Sequence, residues 1–383
     1  MTWPSVALSE VAKIERNGIS ADQISSGTSY LGLEHIESGG AILGKVNVAN
    51  GDLASTKFVF TEQHLLYGKL RPYLAKIALP DFGGVCSTDI VPVLPGPHLD
   101  RRFLAYYLRQ PAMVEYANSR ATGANLPRLS PKSLAEVPIL LPPLDEQRRI
   151  AEILDQADAL RRLRARALDK LNILGQAIFH EMFGDTRNSQ VKKLKDVAQL
   201  INGDRSSSYP SGDEIKEHGI LFLSTKNIRE WRLDLTQTQF ITEEKFAALS
   251  RGKLQRGDIV ITLRGTLGQA AIFDCAHETG FINAQMMIIR PSAELGSKYL
   301  LDYLAHDRTQ YELSKGQSGS AVKQLTAKQI GELPVVVPTV EQQTIYSEKM
   351  AACDETRVSA IQQSGKAETL FTSLQHRAFR GEL

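Results

Sequence analysis

Cysteine, tryptophan and long apolar runs are all scarce in this chain of 383 residues. The three cysteines, Cys86, Cys275 and Cys353, stand far apart. That separation excludes CxxC-type zinc spacing and a disulfide framework, and it fits a reducing compartment. No apolar stretch approaches the roughly 18 residues of a membrane helix; pieces such as MMII (286–289) and VVV (335–337) stop at Arg290 and Pro338. The opening residues, MTWPSVALSEVAK, lack the basic and apolar regions of a secretory signal. The expectation is therefore a cytoplasmic protein with no membrane contact. Charge of one sign is missing too: 45 basic and 43 acidic residues leave a net +2. No global field draws the chain to nucleic acid, so any such binding must come from local surfaces. A chain of this length exceeds one ordinary core, and two or three domains are expected.

What the chain does contain is a copy of itself. Residues 123–150 (GANLPRLSPKSLAEVPILLPPLDEQRRI) align without a gap on 319–346 (GSAVKQLTAKQIGELPVVVPTVEQQTIY) at a shift of 196. The register matches Gly123 with Gly319, Glu136 with Glu332, Pro138 with Pro334 and Gln147 with Gln343. It runs on through Asp158/Asp354, Arg161/Arg357 and Phe183/Phe379, and upstream it pairs FLAYYL with YLLDYL. Weaker echoes with smaller shifts reach the start of each half: LSEVA with LKDVA, YLGLEHI with FLSTKNI, KLRPYLAKIA with TLRGTLGQAA. The drifting shift places insertions in loops, so a whole domain and its linker are duplicated.

Each copy has two parts. Residues 1–142 and 185–338 mix short apolar runs with Gly, Pro, Asn and Ser, which reads as short strands with a few helices, an α+β fold. Residues 143–184 and 339–383 are rich in Ala, Leu, Arg, Gln and Glu without internal proline, and read as one long helix each. Pro142-Pro143 followed by Asp145 and Glu146 marks the first helix start, and Thr339 with Gln342 forms a capping box at the second. An apolar stripe is expected along each helix. The first runs Ile150, Ile153, Ala157, Leu160, Ala167, Leu171, Leu174, Ile178, and the second runs Tyr346, Met350, Cys353, Ala360, Ala367, Phe371, Leu374. Such stripes call for partner helices. Paired on each other, they would run antiparallel, hold two similar heads apart and convert the direct repeat into a pseudo-two-fold object.

The segments PPLDEQRRIAEILDQADALRRLRARALDKL and VPTVEQQTIYSEKMAACDE resemble the helical regions of specificity subunits of type I restriction–modification systems. There a Pro-Pro-Leu-x-Glu-Gln signature opens each long helix. The first copy follows it closely at Pro142, Pro143, Leu144, Glu146 and Gln147, whereas the second has Thr339, Val340 and Gln342 in place of Pro, Leu and Glu. The resemblance implies two α/β target recognition domains (1–142 and 185–338) separated by two long antiparallel helices (143–184 and 339–383) forming a coiled coil. It also implies double-stranded DNA as ligand, two methyltransferase subunits docked on the chain, and restriction/translocase subunits joining for cleavage. S-adenosylmethionine, ATP and magnesium would then belong to those partners, and this chain would need no cofactor.

Searches for chemistry return little. An amino-methyltransferase needs Asp/Asn-Pro-Pro-aromatic, and LPPL (141–144) has leucine on both flanks. No GxxxxGKS/T phosphate cradle is present, and the eight histidines form no HxxxH pair. Glu214-Ile215-Lys216 with Asp204 or Asp213 matches a nuclease string, but it lies in a polar, turn-rich segment that reads as a solvated loop.

DNA-contact candidates are Lys69, Arg71 and Tyr73 in YGKLRPYL, with Arg264 and Thr266 in the matching ITLRGTLG. Arg120, Asn125 and Arg128 in SRATGANLPR are mirrored by Lys315, Gln317, Ser318 and Lys323, and STKNIREWR adds Lys226, Asn227, Arg229 and Arg232. Arginine reads guanine edges and binds phosphate. Two other readings stand beside this one: a protein scaffold without DNA contact, and a self-sufficient restriction enzyme, which the missing motifs oppose.

Overall fold

The computed structural model describes residues 3–49, 51–184, 190–206, 209–315 and 324–383. The chain forms two compact units, Met1–Arg166 with Ala360–Leu383, and Ala167–Ser359. The division falls inside the two long helices, Leu144–Phe183 and Val340–Ala378, so each unit holds part of both.

In the first unit, strand Ser5–Ala7 pairs antiparallel with Pro138–Leu140, the run that leads into the first long helix. An antiparallel sheet follows the order Ala12–Ile14, Ile90–Pro95, Leu65–Gly68, Ile77–Ala78. A second, mixed sheet orders Gly18–Ile19, Lys57–Phe60, Gly84–Cys86, Ser29–Leu31 and Val46–Asn47, with a parallel pairing between Ser29–Leu31 and Gly84–Cys86. Helix Arg101–Arg109 starts where the Asp100 carboxylate accepts the N–H groups of Arg102 and Phe103. It buries Phe103, Leu104 and Tyr107 in one core with Leu65, Val91 and Ile139. Ile150, Leu154, Phe371 and Phe379 from the long helices complete that core.

The second unit repeats this plan. Helices Ser297–Ala305, Asp307–Lys315 and Ala327–Gly331, strand Pro334–Val336 and the start of the second long helix all lie 196 residues after their counterparts. Those counterparts are Arg101–Arg109, Pro111–Ser119, Pro131–Ala135, Pro138–Leu140 and Leu144. Its sheets order Ala198–Asn202, Met286–Pro291, Ile259–Thr262, Ala270–Ile272, and Gln239–Ile241, Ile220–Leu223, Gly280–Ile282, Lys253–Leu254. The parallel pairing recurs between Ile220–Leu223 and Gly280–Ile282. The insertions of the second copy therefore fall before Gly280, in loops.

Both long helices start on a buried amide. Gln147 is fully buried; its Nε2 donates to the carbonyls of His98 (3.0 Å) and Pro142 (2.8 Å), and its Oε1 accepts the Asp100 N–H at 2.8 Å. Gln343 does the same with the carbonyls of Glu294 and Pro338 (2.9 Å each) and the Gly296 N–H at 2.6 Å. The capping box expected at Thr339 and Gln342 is formed, with backbone-to-side-chain bonds of 3.0 and 3.2 Å.

Within the first unit the two helix segments run antiparallel. Arg149 donates to the Leu383 carbonyl, and Arg161 reaches Glu368 and lies 4.7 Å over the Phe371 ring. Within the second, Cys353 Sγ faces the Leu171 carbonyl and Met350 packs over Gly175, again antiparallel. The stripe expected on the second helix is inward-facing along its length, from buried Tyr346 and Met350 to Ala367 and Phe371. The stripe expected on the first is partly wrong. Leu160 and Leu174 are 39% and 45% exposed, whereas Leu154, left out of it, is fully buried. Arg161 occupies an inward position, held by Asp158 at 2.7 Å and stacked on Phe371, and a pattern built on apolar residues alone slips by one there.

One half-buried polar contact is exchanged between the copies. In the first unit the Tyr106 hydroxyl, on helix Arg101–Arg109, donates to Asp155 on the long helix at 2.8 Å. In the second, Tyr346 on the long helix donates to Asp302 on helix Ser297–Ala305 at 2.5 Å.

Gln147→Leu should lower the stability of the first unit by about 2–3 kcal/mol, since it leaves two carbonyls and an N–H unpaired in an apolar site. The two tryptophans make this measurable, with Trp3 in the first unit and Trp231 in the second. In a Trp231→Phe background, urea unfolding followed by Trp3 fluorescence should shift for Gln147→Leu. It should barely move for Arg148→Leu, whose side chain is 57% exposed. An unshifted midpoint for Gln147→Leu would show that the amide does not hold the helix start.

Candidate nucleic-acid interface

In the first unit, strand Leu65–Gly68 runs out into the loop that carries Lys69, Arg71 and Tyr73, and a second loop clasps it. Leu129 N–H donates to the Lys69 carbonyl (2.9 Å), Lys69 N–H to Asp89 (2.9 Å) and Arg71 N–H to Pro127 (2.7 Å). Bridges join Arg128 to Leu70 and to Thr122. The clasp brings Lys69, Arg71, Tyr73, Asn125 and Arg128 onto one surface, with Arg71, Tyr73 and Asn125 exposed and Lys69 half-buried. Helix Pro111–Ser119, which ends at Arg120, packs against the single turn Pro72–Leu74. Arg71 (φ 52°) and Ala75 (φ 47°) flank that turn, both in the left-handed region that disfavours a Cβ.

The cations on this surface are not equally free. Arg128 makes a bidentate pair with Asp89 through Nε (2.9 Å) and Nη2 (3.1 Å), and those bonds hold the Asp89 carboxyl below its ordinary range. Arg120 folds back on its own helix, 3.5 Å over the Tyr116 ring and bonded to the Tyr116 carbonyl and Ser119 Oγ. Among the described residues the Arg71 side chain has no partner.

The second unit builds the same clasp with other side chains. Leu325 N–H donates to the Leu263 carbonyl. Arg264 is exposed and donates through Nε and Nη2 to Gln324 Oε1 at 3.0 and 2.8 Å. Thr266 is exposed, and its carbonyl accepts the Thr262 hydroxyl. The left-handed positions of this turn are glycines, Gly265 (φ 80°) and Gly268 (φ 73°). Gln317, Ser318 and Lys323 lie outside the described residues. Lys226 is exposed, and Arg229 faces Asp234 at 3.6 Å.

Asn227, expected at the interface, does not belong to it. It is 6% exposed, its Oδ1 accepts Ser224 N–H and Oγ, and its Nδ2 donates to the carbonyls of Asp234 and Gln237. Every hydrogen-bonding position closes a turn and none is left for a base. His35 holds the matching turn of the first unit, with Nδ1 accepting the Gly32 N–H at 3.0 Å.

Next to that turn a short hairpin meets the long helix in each unit. Arg229 pairs with Arg232 across the two-residue turn Glu230–Trp231, both left-handed, and Arg232 lies 3.6 Å from Asp354. The corresponding Gly39–Gly40 tip is met by Arg162, which donates to the Gly39 carbonyl and is held by Asp158 at 2.7 Å. Asp158 and Asp354 thus hold matched joints between head and helix. The sequence pairs them in the 196-residue register but does not reveal what they join.

The nuclease string is not assembled. Glu214 pairs with Lys245 at 2.7 Å. Asp204 is fully buried and accepts hydrogen bonds from Ser206 N–H and from Ser250 N–H and Oγ, which hold its carboxyl far below the usual range. Among the described residues no group of three or more His, Cys, Asp or Glu is arranged to hold a metal ion. No described helix is long and apolar enough to cross a membrane.

Two duplicated α/β heads, each closed by the same loop clasp and each opening into a long helix, agree with what known proteins show. The family described as type I restriction modification DNA specificity domain matches twice, at residues 1–172 and 186–366. The chain belongs to that family. It is 30% identical over 186 residues to the EcoDI specificity subunit of a type I restriction enzyme from Escherichia coli, covering 47% of this chain and 41% of that protein. It is 24% identical over 318 residues to the EcoBI specificity subunit, also from Escherichia coli, covering 74% and 66%. The match thus spans less than two thirds of either relative's length. A chain in a structure solved for the assembly and conformational transition of a type I restriction–modification system shares the fold. Its TM-score is 0.61 at 20% identity, over 100% of this chain and 98% of that one. Both relatives are named as specificity subunits.

Asp204→Asn should lower the stability of the second unit at neutral pH by about 2 kcal/mol, since an amide replaces an acceptor of three hydrogen bonds. The Asp204 carboxyl is held low in the folded state, so its contribution is present above the unfolded value of about 4 and is lost as pH falls through the folded value. The gap between wild type and variant, read by Trp231 fluorescence in thermal melts, should be full at pH 7 and narrower at pH 3. A constant gap would contradict this account.

Proposed function

We propose that this chain reads DNA for a type I restriction–modification assembly and carries out no chemistry itself. Each head reads one half of a bipartite, asymmetric duplex site. The observation that carries this reading is the duplicated clasp. One backbone arrangement presents Lys69, Arg71, Tyr73, Asn125 and an Arg128–Asp89 pair in one unit, and Arg264, Thr266 and Gln324 in the other. A common frame with unlike side chains suits two unlike half-sites. Lys226 and Arg229 add cations to the second head, and Arg120 contributes to the first through backbone phosphates.

Two methyltransferase subunits dock on the chain, and restriction/translocase subunits join them; S-adenosylmethionine, ATP and magnesium act in those partners. The complex works in the cytoplasm, where its DNA is. The long helices form an antiparallel coiled coil that relates the heads by a pseudo-two-fold axis and sets the spacing of the half-sites. The antiparallel helix pairing found inside each unit supports this.

Base-resolution mapping of methylated adenines in a host with and without the chain tests the function directly. Replacing residues 1–142 by the first head of another family member should change one half of the mapped site and leave the other intact. A change in both halves would show that the heads are not independent readers. Inserting four residues after Arg164 adds about 6 Å of helix. It should lengthen the preferred gap by one or two base pairs at about 3.4 Å each. Full activity at an unchanged gap would remove the helices as the ruler.

A further inference from the structure

We propose that Arg71 is the side chain with which the first head reads a guanine edge, and that the left-handed backbone at Arg71 and Ala75 serves to aim it. This rests on the DNA-reading function proposed above and names one contact within it.

The second unit turns the matching corner, between strands Ile259–Thr262 and Ala270–Ile272, with a loop one residue shorter. There the two left-handed positions are Gly265 and Gly268. The first unit places Arg71 and Ala75 in that conformation, which any residue with a Cβ disfavours. A residue kept in such a conformation by its surroundings points to a use for its side chain.

The surroundings over-determine this backbone. Pro72 fixes one φ angle, Arg71 N–H is bonded to the Pro127 carbonyl at 2.7 Å, and the bonds at Lys69 and Leu129 close the clasp on either side. The turn is therefore ordered before any ligand arrives, and the origin of the Arg71 side chain is set.

The neighbouring cations are engaged. Arg128 is neutralised by Asp89, and Arg120 lies on Tyr116. Lys69 is half-buried with its backbone built into the clasp, and it also faces the Asp89 carboxylate. Arg71 is exposed and has no side-chain partner among the described residues. Its guanidinium offers two parallel donors in one plane, the geometry of the O6 and N7 acceptors of guanine. A phosphate contact asks only for positive charge nearby, whereas a base edge asks for direction, and a rigid, strained origin supplies direction. In the second unit the aligned Arg264 is tied to Gln324. The two heads therefore differ at this point in kind, which places one source of site asymmetry at residue 71.

The test uses the full chain assembled with its methyltransferase subunits. Arg71→Gly removes the Cβ from a left-handed position, so the variant should fold with an unchanged or raised melting temperature. Adenine mapping should then show preference lost at one G·C pair of one half-site, all other positions keeping theirs. Binding to a duplex with that guanine replaced should differ from binding to the mapped site by at least tenfold for the wild type and by less than twofold for the variant. Arg71→Lys keeps charge and backbone conformation, so it should lose most of the discrimination while the salt dependence of binding stays near that of the wild type. Three outcomes overturn the proposal: an unchanged methylation map in Arg71→Gly; a uniform loss of affinity over all sequences with the salt slope reduced by about one, the mark of a phosphate contact; or full discrimination in Arg71→Lys. A wild-type assembly that methylates without sequence preference would instead bring down the DNA-reading function itself, and this contact with it.

Discussion

Beneath the first turn of each long helix lies a glutamine whose amide is bonded to three backbone groups of the head. A buried amide left half-paired costs about 1–3 kcal/mol. The helix start, the strand exit at Pro142 or Pro338 and the loop before the next head helix must therefore keep one mutual arrangement. With that direction set, Ile150 and Leu154 meet the head core at Phe103 and Leu65, and Tyr346 and Met350 meet theirs at Tyr299 and Leu300. The other long helix closes the first core through Gln375, whose amide donates to the Tyr106 carbonyl. The helices are thus structural walls of the heads, and neither head has a complete core without them.

Against this constant frame the clasp varies. The backbone bonds that close it recur at Lys69–Leu129 and Leu263–Leu325, while the side chains they present do not. An ion pair in one copy, Asp89 with Arg128, gives way in the other to Gln324 bonded by Arg264. Surface that carries no packing role can change without touching the core, which is why a duplicated head can diverge in what it reads while keeping its shape.

Much of the frame was legible in the residues. The 196-residue register carries every helix start onto its counterpart from Arg101 onward, and the inward stripe of the second helix follows from Tyr346, Met350, Ala367 and Phe371 alone. The first helix was misread at its middle because Arg161 faces inward. A periodicity counted on apolar side chains cannot place a charged one whose partners, Glu368 and Phe371, come from the far end of the chain. The candidate interface was legible as two loops but not as a hierarchy within them. Nothing local to Arg128 announces that Asp89 neutralises it. Asn227 reads as an exposed polar residue in STKNIR until the turn that closes around its amide is known. Domain limits drawn at the helix starts likewise treat as a linker what is core.

The exchanged tyrosine–aspartate contact has a consequence for how such chains can be recombined. Tyr106 and Asp302 occupy matched places on the two head helices, and Ile150 and Tyr346 occupy matched places on the long helices. Each pair is satisfied only in its own position. A first head spliced onto the second helix would set Tyr106 beside Tyr346 with alanine at the place of Asp155. A second head spliced onto the first helix would set the Asp302 carboxylate beside Ile150 and near Asp155. The first transposition loses the carboxylate that accepts the tyrosine hydroxyl, and the second sets two carboxylates side by side with Lys298 as the donor carried by that head, so either transposition costs stability. The contact acts as a polarity mark that favours exchange of first heads among first positions and of second heads among second.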